Sequence, residues 1–323
     1  MYYLGFDIGG TNARCALIHH IDGQLKILAS QKHSIRGSQT PRDVAAVIEH
    51  VVSHVPAEHG VDPKELSGLG VAIAGQIAID EKTVINAPNL NWHHIDFHAA
   101  IQDALKDIAP GIDIRIANDL NAIAWGEYHF GAAKELKNLL AVYVGTGIGA
   151  GLIMDSKLML GADNVSGEIG HCKFPGLEKY ACGCGQMGCV EAYAGGKAIE
   201  YRILHDIQNG VVTRQELGLA ENEHPTARCI ERGWKNELPY AKKFWTDTAW
   251  AIGALIANAI SILNPHGLLL GGGVLAGCPE LLSLVVGHVM EMAPRAATAN
   301  LQFIKPTLHD DAGTLGAALL CLK

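Results

Sequence analysis

Apolar residues fall in short blocks from the start of the chain. Residues 2–8 form one block and residues 14–19 another, built on Cys15, Ala16, Leu17 and Ile18, with Gly9, Gly10, Thr11 and Asn12 between them. A third block at 24–30 follows the turn signal Asp22-Gly23. Blocks of this kind, separated by Gly, Thr and Asp, predict strands joined by tight turns. The chain is expected to open as a β-meander around a Gly-Thr hairpin, not as the strand, loop and helix of a mononucleotide fold. Val44, Val47, Ile48 and Val51 have helical spacing and predict a helix over 41–54. Further along, the pattern predicts a buried strand at 69–77, a helix at 96–108, a short strand at 112–117 ending on Asn118-Asp119, and a helix at 120–128.

A similar opening recurs near residue 145. Residues 139–144 read as a strand, Gly145-Thr146-Gly147-Ile148-Gly149 as a loop, and 150–154 as a returning strand that turns at Asp155-Ser156 into 157–160. Ile252, Leu255, Ile256, Ala259, Ile260 and Leu263 then form a wide helical stripe over 248–263, ended by Pro265. A strand at 268–270, the triplet Gly271-Gly272-Gly273 and a last helix at 312–320 close the chain. The repeated strand, glycine loop and strand suggest two duplicated halves, each presenting a hairpin to one ligand.

Composition narrows the class. With 323 residues, 49% of them hydrophobic, the chain has material for about two domains with substantial cores. Its formal charge of −8 argues against general nucleic-acid binding, which needs clustered positive charge. An anion held by backbone amides and a metal ion stays compatible with it. The two most apolar stretches, 139–154 and 248–263, are each interrupted and shorter than the roughly 20 residues of a spanning helix. The expectation is a soluble, cytoplasmic protein without membrane or nucleic-acid partners.

Three groups of residues carry candidate chemistry. Asp7-Ile8-Gly9-Gly10-Thr11 joins a strand-end acid to a glycine turn, where amides approach phosphate oxygens and the acid can hold Mg²⁺ through water. The same residues also suit a hairpin that Asp7 merely caps. Gly145 to Ala150 fits the loose dinucleotide pattern G-x-G-x-x-A, but that reading requires a helix next and 151–161 reads as a hairpin. His171, Cys182, Cys184 and Cys189 have the spacing H-x(10)-C-x-C-x(4)-C, with Gly183, Gly185 and Gly188 supplying turns. One His and three Cys match a closed tetrahedral Zn²⁺ site, read here as structural. Cys172, beside His171, is expected to face away. Asp119 at a strand end suits a general base, with Asn118 orienting a substrate, or equally a helix N-cap. Spacing leaves both open. Trp92 is expected in the core.

Together these residues resemble the ROK family (repressors, open reading frames and kinases) within the actin-like sugar-kinase superfamily. Asp7 to Asn12 and Gly145 to Gly149 resemble its two phosphate motifs. Ala87-Pro88-Asn89-Leu90 with Trp92 resembles its sugar loop, Leu270 to Gly273 its adenosine segment, and Glu168-Ile169-Gly170-His171 with residues 182–191 its most specific feature. The resemblance implies an α/β, two-lobed actin-like (ribonuclease H-like) fold with a central cleft and a structural zinc site. It implies a small lobe over 1–117, to which a helix near 311–323 returns, and a large lobe over 118–310. It further implies ATP-dependent phosphorylation of a hexose at its 6-hydroxyl, with glucose first and an N-acetylhexosamine or fructose as alternatives.

By the same resemblance, Asp119 is the general base, and Gly75, Asn89, Asn118, Glu168, His171 and Glu191 contact the sugar. Asp7, Gly9, Gly10, Thr11, Asn12, Gly145, Thr146, Gly147, Gly272 and Gly273 serve ATP and Mg²⁺, while His171, Cys182, Cys184 and Cys189 hold Zn²⁺. A homodimer or larger homo-oligomer is implied too. The family also contains sugar-responsive repressors, which carry a DNA-binding segment before the first phosphate motif. Only six residues precede Asp7, so the kinase reading is preferred to that of a repressor, and the presence of Asp7, Thr11 and Asp119 favours it over a non-catalytic sensor. Ala74-Gly75 stands where the family often has Pro-Gly, and the stretch 175–180 is longer than in typical glucokinase members, so the sugar pocket is expected to differ there.

Overall fold

Asp7 and Asp119 owe their placement to three strands that end in register. In the computed structural model, which describes residues 1–22, 24–35 and 40–322, Ile8 pairs with Ile73 and Ile73 with Asn118. The expected turn at Asp22-Gly23 reaches Gly23, which lies outside the described residues. In chain order the first elements are β1 (Tyr2–Ile8), β2 (Asn12–Ile21), β3 (Gln24–Ser34), α1 (Pro41–Glu58), β4 (Leu66–Ile73), β5 (Gln76–Ile77), β6 (Thr83–Ala87) and β7 (Trp92–Asp96). They are followed by α2 (Phe97–Leu105), β8 (Asp113–Asn118) and α3 (Asp119–His129). Then come β9 (Leu139–Val144), β10 (Ile148–Met154), β11 (Lys157–Leu158), α4 (Glu191–Ala194), α5 (Gly196–Gln208), α6 (Ala227–Lys235) and α7 (Pro239–Leu263). The chain ends with β12 (Gly267–Gly271), α8 (Gly273–Gly277), α9 (Pro279–Met292), α10 (Arg295–Thr298), β13 (Gln302–Ile304) and α11 (Ala312–Leu319).

The chain divides into two compact units. One comprises Met1–Leu136, Gly151–Ser166 and Pro306–Lys323, the other Lys137–Ala150 and Gly167–Lys305. The first sheet has the order β3-β2-β1-β4-β8, antiparallel from β3 to β1 and parallel from β1 to β8. A second sheet, β11-β10-β9-β12-β13, repeats that order, with β10–β11 antiparallel and β9, β12 and β13 parallel. The repeated strand–glycine loop–strand pattern thus occupies the same place in two mixed sheets. Within β10 the chain passes from one unit to the other.

Strand β1 is buried on both faces, and its side chains divide accordingly. Leu4, Phe6 and Ile8 join Val44, Ile48 and Val51 of α1 in one core cluster, whereas Tyr3 meets Leu315 and Ala318 of α11 in another. This is the period-two alternation of a pleated strand. Helix α1 begins where Thr40 accepts the Asp43 amide at 3.2 Å in a capping box with Pro41 next.

Helix α11 approaches the sheet and α3 unusually closely. A Cβ at Gly70 would lie 1.7 Å from the carbonyl oxygen of Ala317, and one at Gly126 would lie 2.2 Å from that of Ala312. Only glycine fits such positions.

Several expected elements differ in extent. The strand expected over 69–77 ends at Ile73, because Gly75 lies against the β6 backbone, where a Cβ would sit 2.4 Å from the Asn86 carbonyl oxygen. The chain then enters a separate three-stranded sheet, β5-β6-β7. The helix expected over 248–263 starts at Pro239 and runs 25 residues. By length and composition it could cross a membrane, yet it is mostly buried within its own unit, where it packs against α6 and α9. Trp92 is in the core, as expected, against Phe97.

Gly70→Ala is expected to lower the stability of the fold by about 2 kcal/mol or more, since the new methyl meets backbone rather than a side chain that can turn aside. Chemical denaturation of both proteins measures this.

Candidate active site

At the ends of β1, β4 and β8 two loops and the N-terminus of α3 lie side by side, as expected where parallel strands finish together. A cavity of about 290 Å³ there is lined by Asp7, Ile8, Gly9, Thr11, Asn12, Arg14, Ala74 and Asp119. The turn between β1 and β2 is closed by the Gly9 amide donating to Asn12 O at 3.0 Å, and Asn12 Nδ2 donates to Thr11 Oγ1 at 2.9 Å. Gly10 faces Asn89, whose carbonyl oxygen would lie 3.0 Å from a Cβ at that position. Asn89 itself is exposed, in the turn after β6.

The two readings of Asn118-Asp119 separate in the structure. Asn118 is the N-cap of α3, accepting from the amides of Leu120 at 2.9 Å and Asn121 at 3.2 Å. Its Nδ2 donates to the Gly75 carbonyl at 3.0 Å. Asp119 is the first helical residue, accepts from the Leu120 amide at 3.0 Å and lines the cavity. The cap is therefore supplied by the residue before the candidate base.

Asp7 is held in an environment that disfavours its charge. Burial raises its pKa to about 6; Arg14 opposes the shift and Asp310 adds to it. The first turn of α11 presses on the same side chain, for a Cβ at Gly313 would lie 2.8 Å from Asp7 Oδ2.

In the second unit the ends of β9 and β12 are likewise in register, Tyr143 pairing with Gly271. Gly272, at φ +92°, lies where a Cβ would be 2.4 Å from the Val144 carbonyl oxygen, and Gly273 begins α8. The loop Gly145-Thr146-Gly147 is fastened by its carbonyls, which accept from the first amides of α5, Gly196 to Gly145 at 2.9 Å and Lys197 to Thr146 at 3.1 Å. Glu191 Oε2 accepts from the Ile148 amide at 2.8 Å. Gly147 lies over that carboxylate, and a Cβ there would be 2.2 Å from Oε2. Glu191 was expected as a sugar contact; its tie to the glycine loop is legible only in three dimensions.

His171, Cys182, Cys184 and Cys189 converge, their ligand atoms all within 4.8 Å of one another. Tetrahedral zinc with bonds of about 2.3 Å to sulfur and about 2.0 Å to nitrogen sets two thiolates about 3.8 Å apart and a thiolate and imidazole nitrogen about 3.5 Å apart. Here Cys184 and Cys189 Sγ are 3.7 Å apart, and Cys182 Sγ is 3.6 Å from His171 Nδ1. The residues fit the ion. Lys173 Nζ, 2.7 Å from Cys189 Sγ, would balance the net negative charge of one Zn²⁺ on three thiolates. Cys172 is exposed and outside the group. The other ring nitrogen of His171, Nε2, lies 3.5 Å from Glu168 Oε2. Burial raises the Glu168 pKa, His171 lowers it and Glu191 raises it further.

Against this geometry, the ROK family model matches residues 3–323. The chain belongs to the ROK family. It is 30% identical to a glucokinase of Streptomyces coelicolor over 84% of this chain and 81% of that protein. It is 27% identical to an N-acetylmannosamine kinase of Citrobacter koseri over 99% and 98% of the two chains. Among solved structures, the ROK glucokinase of Streptomyces griseus in complex with glucose and AMPPNP superposes with a TM-score of 0.75 at 28% identity, covering 99% of each chain. Xylose repressors of Bacillus are also similar. The fold is thus the α/β fold of the ROK sugar kinases.

Sequence reasoning missed Arg14, which lines this ROK chain's first cavity, and the Asp310 that holds it from beside the cavity. Arg14 follows Asn12 by two in β2, so alternation puts both on one face, a signal available beforehand. Asp310 lies 296 residues away, and no local signal could have joined it to the site.

Two outcomes are expected. Asp7, shifted up, contributes stability fully present below about pH 4 and lost as pH rises through about 6. Without nucleotide or Mg²⁺, Asp7→Asn is therefore expected to stabilise the protein at pH 7.5 by up to about 3 kcal/mol, with the gain vanishing near pH 4; denaturation across that pH range measures it. The wild type is expected to retain one zinc per chain through gel filtration and Cys184→Ser to lose it, read by elemental analysis.

Proposed function

We propose that this ROK chain is an ATP-dependent hexose kinase that phosphorylates the 6-hydroxyl of its sugar, with glucose the leading substrate. The observation that carries the reading is the common cavity of Asp7, the Gly9–Thr11 turn and Asp119. A strand-end acid, a phosphate-type glycine turn and a second carboxylate in one cavity are what phosphoryl transfer to an alcohol requires. The similarity to the Streptomyces glucokinases supports the choice of sugar.

Asp119 takes the hydroxyl proton as the oxygen bonds to the γ-phosphorus and the bond from that phosphorus to the β–γ bridging oxygen breaks, its electrons leaving with ADP. Asn118 and Gly75, joined by their hydrogen bond, fix the start of α3 and hold Asp119 in place. Amides of the Gly9–Thr11 and Gly145–Gly147 loops bind phosphate oxygens, with Gly272 and Gly273 serving the adenosine. Bound Mg²⁺ near Asp7 would supply charge neutralisation. Asn89, Glu168, His171 and Glu191 orient the remaining hydroxyls; the ring of His171 would be fixed through Nδ1 by zinc, which leaves Nε2 aimed outward.

A second reading, an N-acetylhexosamine kinase, is favoured by the similarity to the Citrobacter enzyme over nearly both whole chains. The test is ADP release from Mg-ATP with glucose, mannose, fructose, N-acetylglucosamine and N-acetylmannosamine. Glucose is expected to give the highest kcat/KM; an N-acetyl sugar tenfold above it would replace the first reading by the second, and no turnover with any would refute both. Asp119→Asn is expected to lose at least about 100-fold in kcat while sugar binding, followed by calorimetry, stays within about threefold.

A further inference from the structure

Arg14 lines the first cavity and has no part in the chemistry derived so far. We propose that its guanidinium binds the phosphoryl group in transfer, with Asp310 as the positioning residue that holds it there. The proposal rests on the kinase reading above.

Three observations carry it. First, the cavity is lined by two carboxylates, Asp7 and Asp119, and Arg14 is the one cationic side chain lining it among the described residues. A site built for an anion and lined by two acids needs positive charge from its own walls as well as from a metal. Second, the guanidinium is anchored, with Nη2 2.6 Å from Asp310 Oδ2. Asp310 lies in the short 3-10 turn His309–Asp311 that leads into α11, and the turn is itself tied to the first sheet by Ser30 Oγ donating to Asp311 Oδ1 at 2.7 Å. Third, the pair is poor as a stability device: the Arg14 side chain is 32% exposed and that of Asp310 75%. Ion pairs so exposed contribute little to stability. What the contact does supply is orientation. Asp310 engages one arm of a planar fork with five N–H donors, so the rest of the fork is fixed in direction at small entropic cost.

In the step, the sugar oxygen bonds to the γ-phosphorus, the bond to the β–γ bridging oxygen breaks with its electron pair leaving on ADP, and the hydroxyl proton goes to Asp119. Arg14 gains and loses no proton. Its N–H groups donate to the γ-phosphoryl oxygens, whose charge is spread widest midway through transfer.

The test compares wild type with Arg14→Gln, Arg14→Lys and Asp310→Asn in steady-state turnover. Calorimetric binding of Mg-AMPPNP and Mg-ADP, and melting temperature, are measured alongside. Arg14→Gln is expected to lose about 100-fold or more in kcat, with KM for the sugar within about threefold and the preference for AMPPNP over ADP abolished. Arg14→Lys is expected to recover less than a tenth of the activity, because a point charge does not replace the fork. Asp310→Asn is expected to lower kcat about tenfold without lowering the melting temperature. Arg14→Gln with kcat and triphosphate preference within twofold of wild type would overturn the proposal. So would Asp310→Asn losing activity only in proportion to lost folded protein. A wild type that turns over no sugar, yet prefers AMPPNP to ADP through Arg14, would sink the kinase reading and leave the arginine as a triphosphate ligand.

Discussion

The first unit is organised by the near contact of backbones between the C-terminal helix and the layers beside it. Gly5 and Gly70 of the sheet and Gly126 of α3 meet α11 where a Cβ would lie 1.9, 1.7 and 2.2 Å from a carbonyl oxygen of that helix. Gly316 of α11 returns the contact, for a Cβ there would lie 1.7 Å from the Ala122 carbonyl oxygen. Side chains are almost excluded, so the distance between layers is set by main-chain atoms, which cannot yield as a rotamer does. The sites inherit that rigidity. Gly313 abuts Asp7, and the turn before α11 brings Asp310 to Arg14. A buried carboxylate, Glu127, fastens the incoming segment by accepting from the amides of Thr307 at 2.9 Å and Leu308 at 2.8 Å.

The same closeness makes the site electrostatically costly. Asp7 is kept where its charged form is disfavoured, with one guanidinium in partial compensation. A fold that only sought stability would place a neutral residue there; a carboxylate in such a position is characteristic of a binding or catalytic site. In the second unit the compensation is different in kind. Three thiols and an imidazole gather at distances that suit a tetrahedral ion, and the adjoining Glu191 links that cluster to the amide of Ile148 beside the glycine loop. The His/Cys group and the glycine loop are mechanically one piece within that unit.

The sequence was most legible where one residue decides a local conformation. Strands 2–8 and 139–144 were predicted with their observed ends, because each is a mainly apolar block cut off by glycine. The convergence of His171, Cys182, Cys184 and Cys189 was legible from spacing, since turns of so few residues leave the side chains little choice of direction. Ranges that depend on partners were not. The strand expected to reach 77 stops at Ile73 because β6 crosses next to Gly75, and β3 runs to Ser34 because β2 is long enough to pair with it.

Family membership, the strand–glycine loop–strand opening of each sheet and the grouping of His171 with Cys182, Cys184 and Cys189 were thus legible in the sequence alone, being matters of residue type and local spacing. Tertiary structure alone decided that Asn118 rather than Asp119 caps α3, that Glu191 holds the second glycine loop, and that Arg14 is steered by an acid 296 residues away. Each of these depends on which backbone atoms come within hydrogen-bond reach after the layers have closed. That distance is a property of the packed fold, and no periodicity along the chain encodes it.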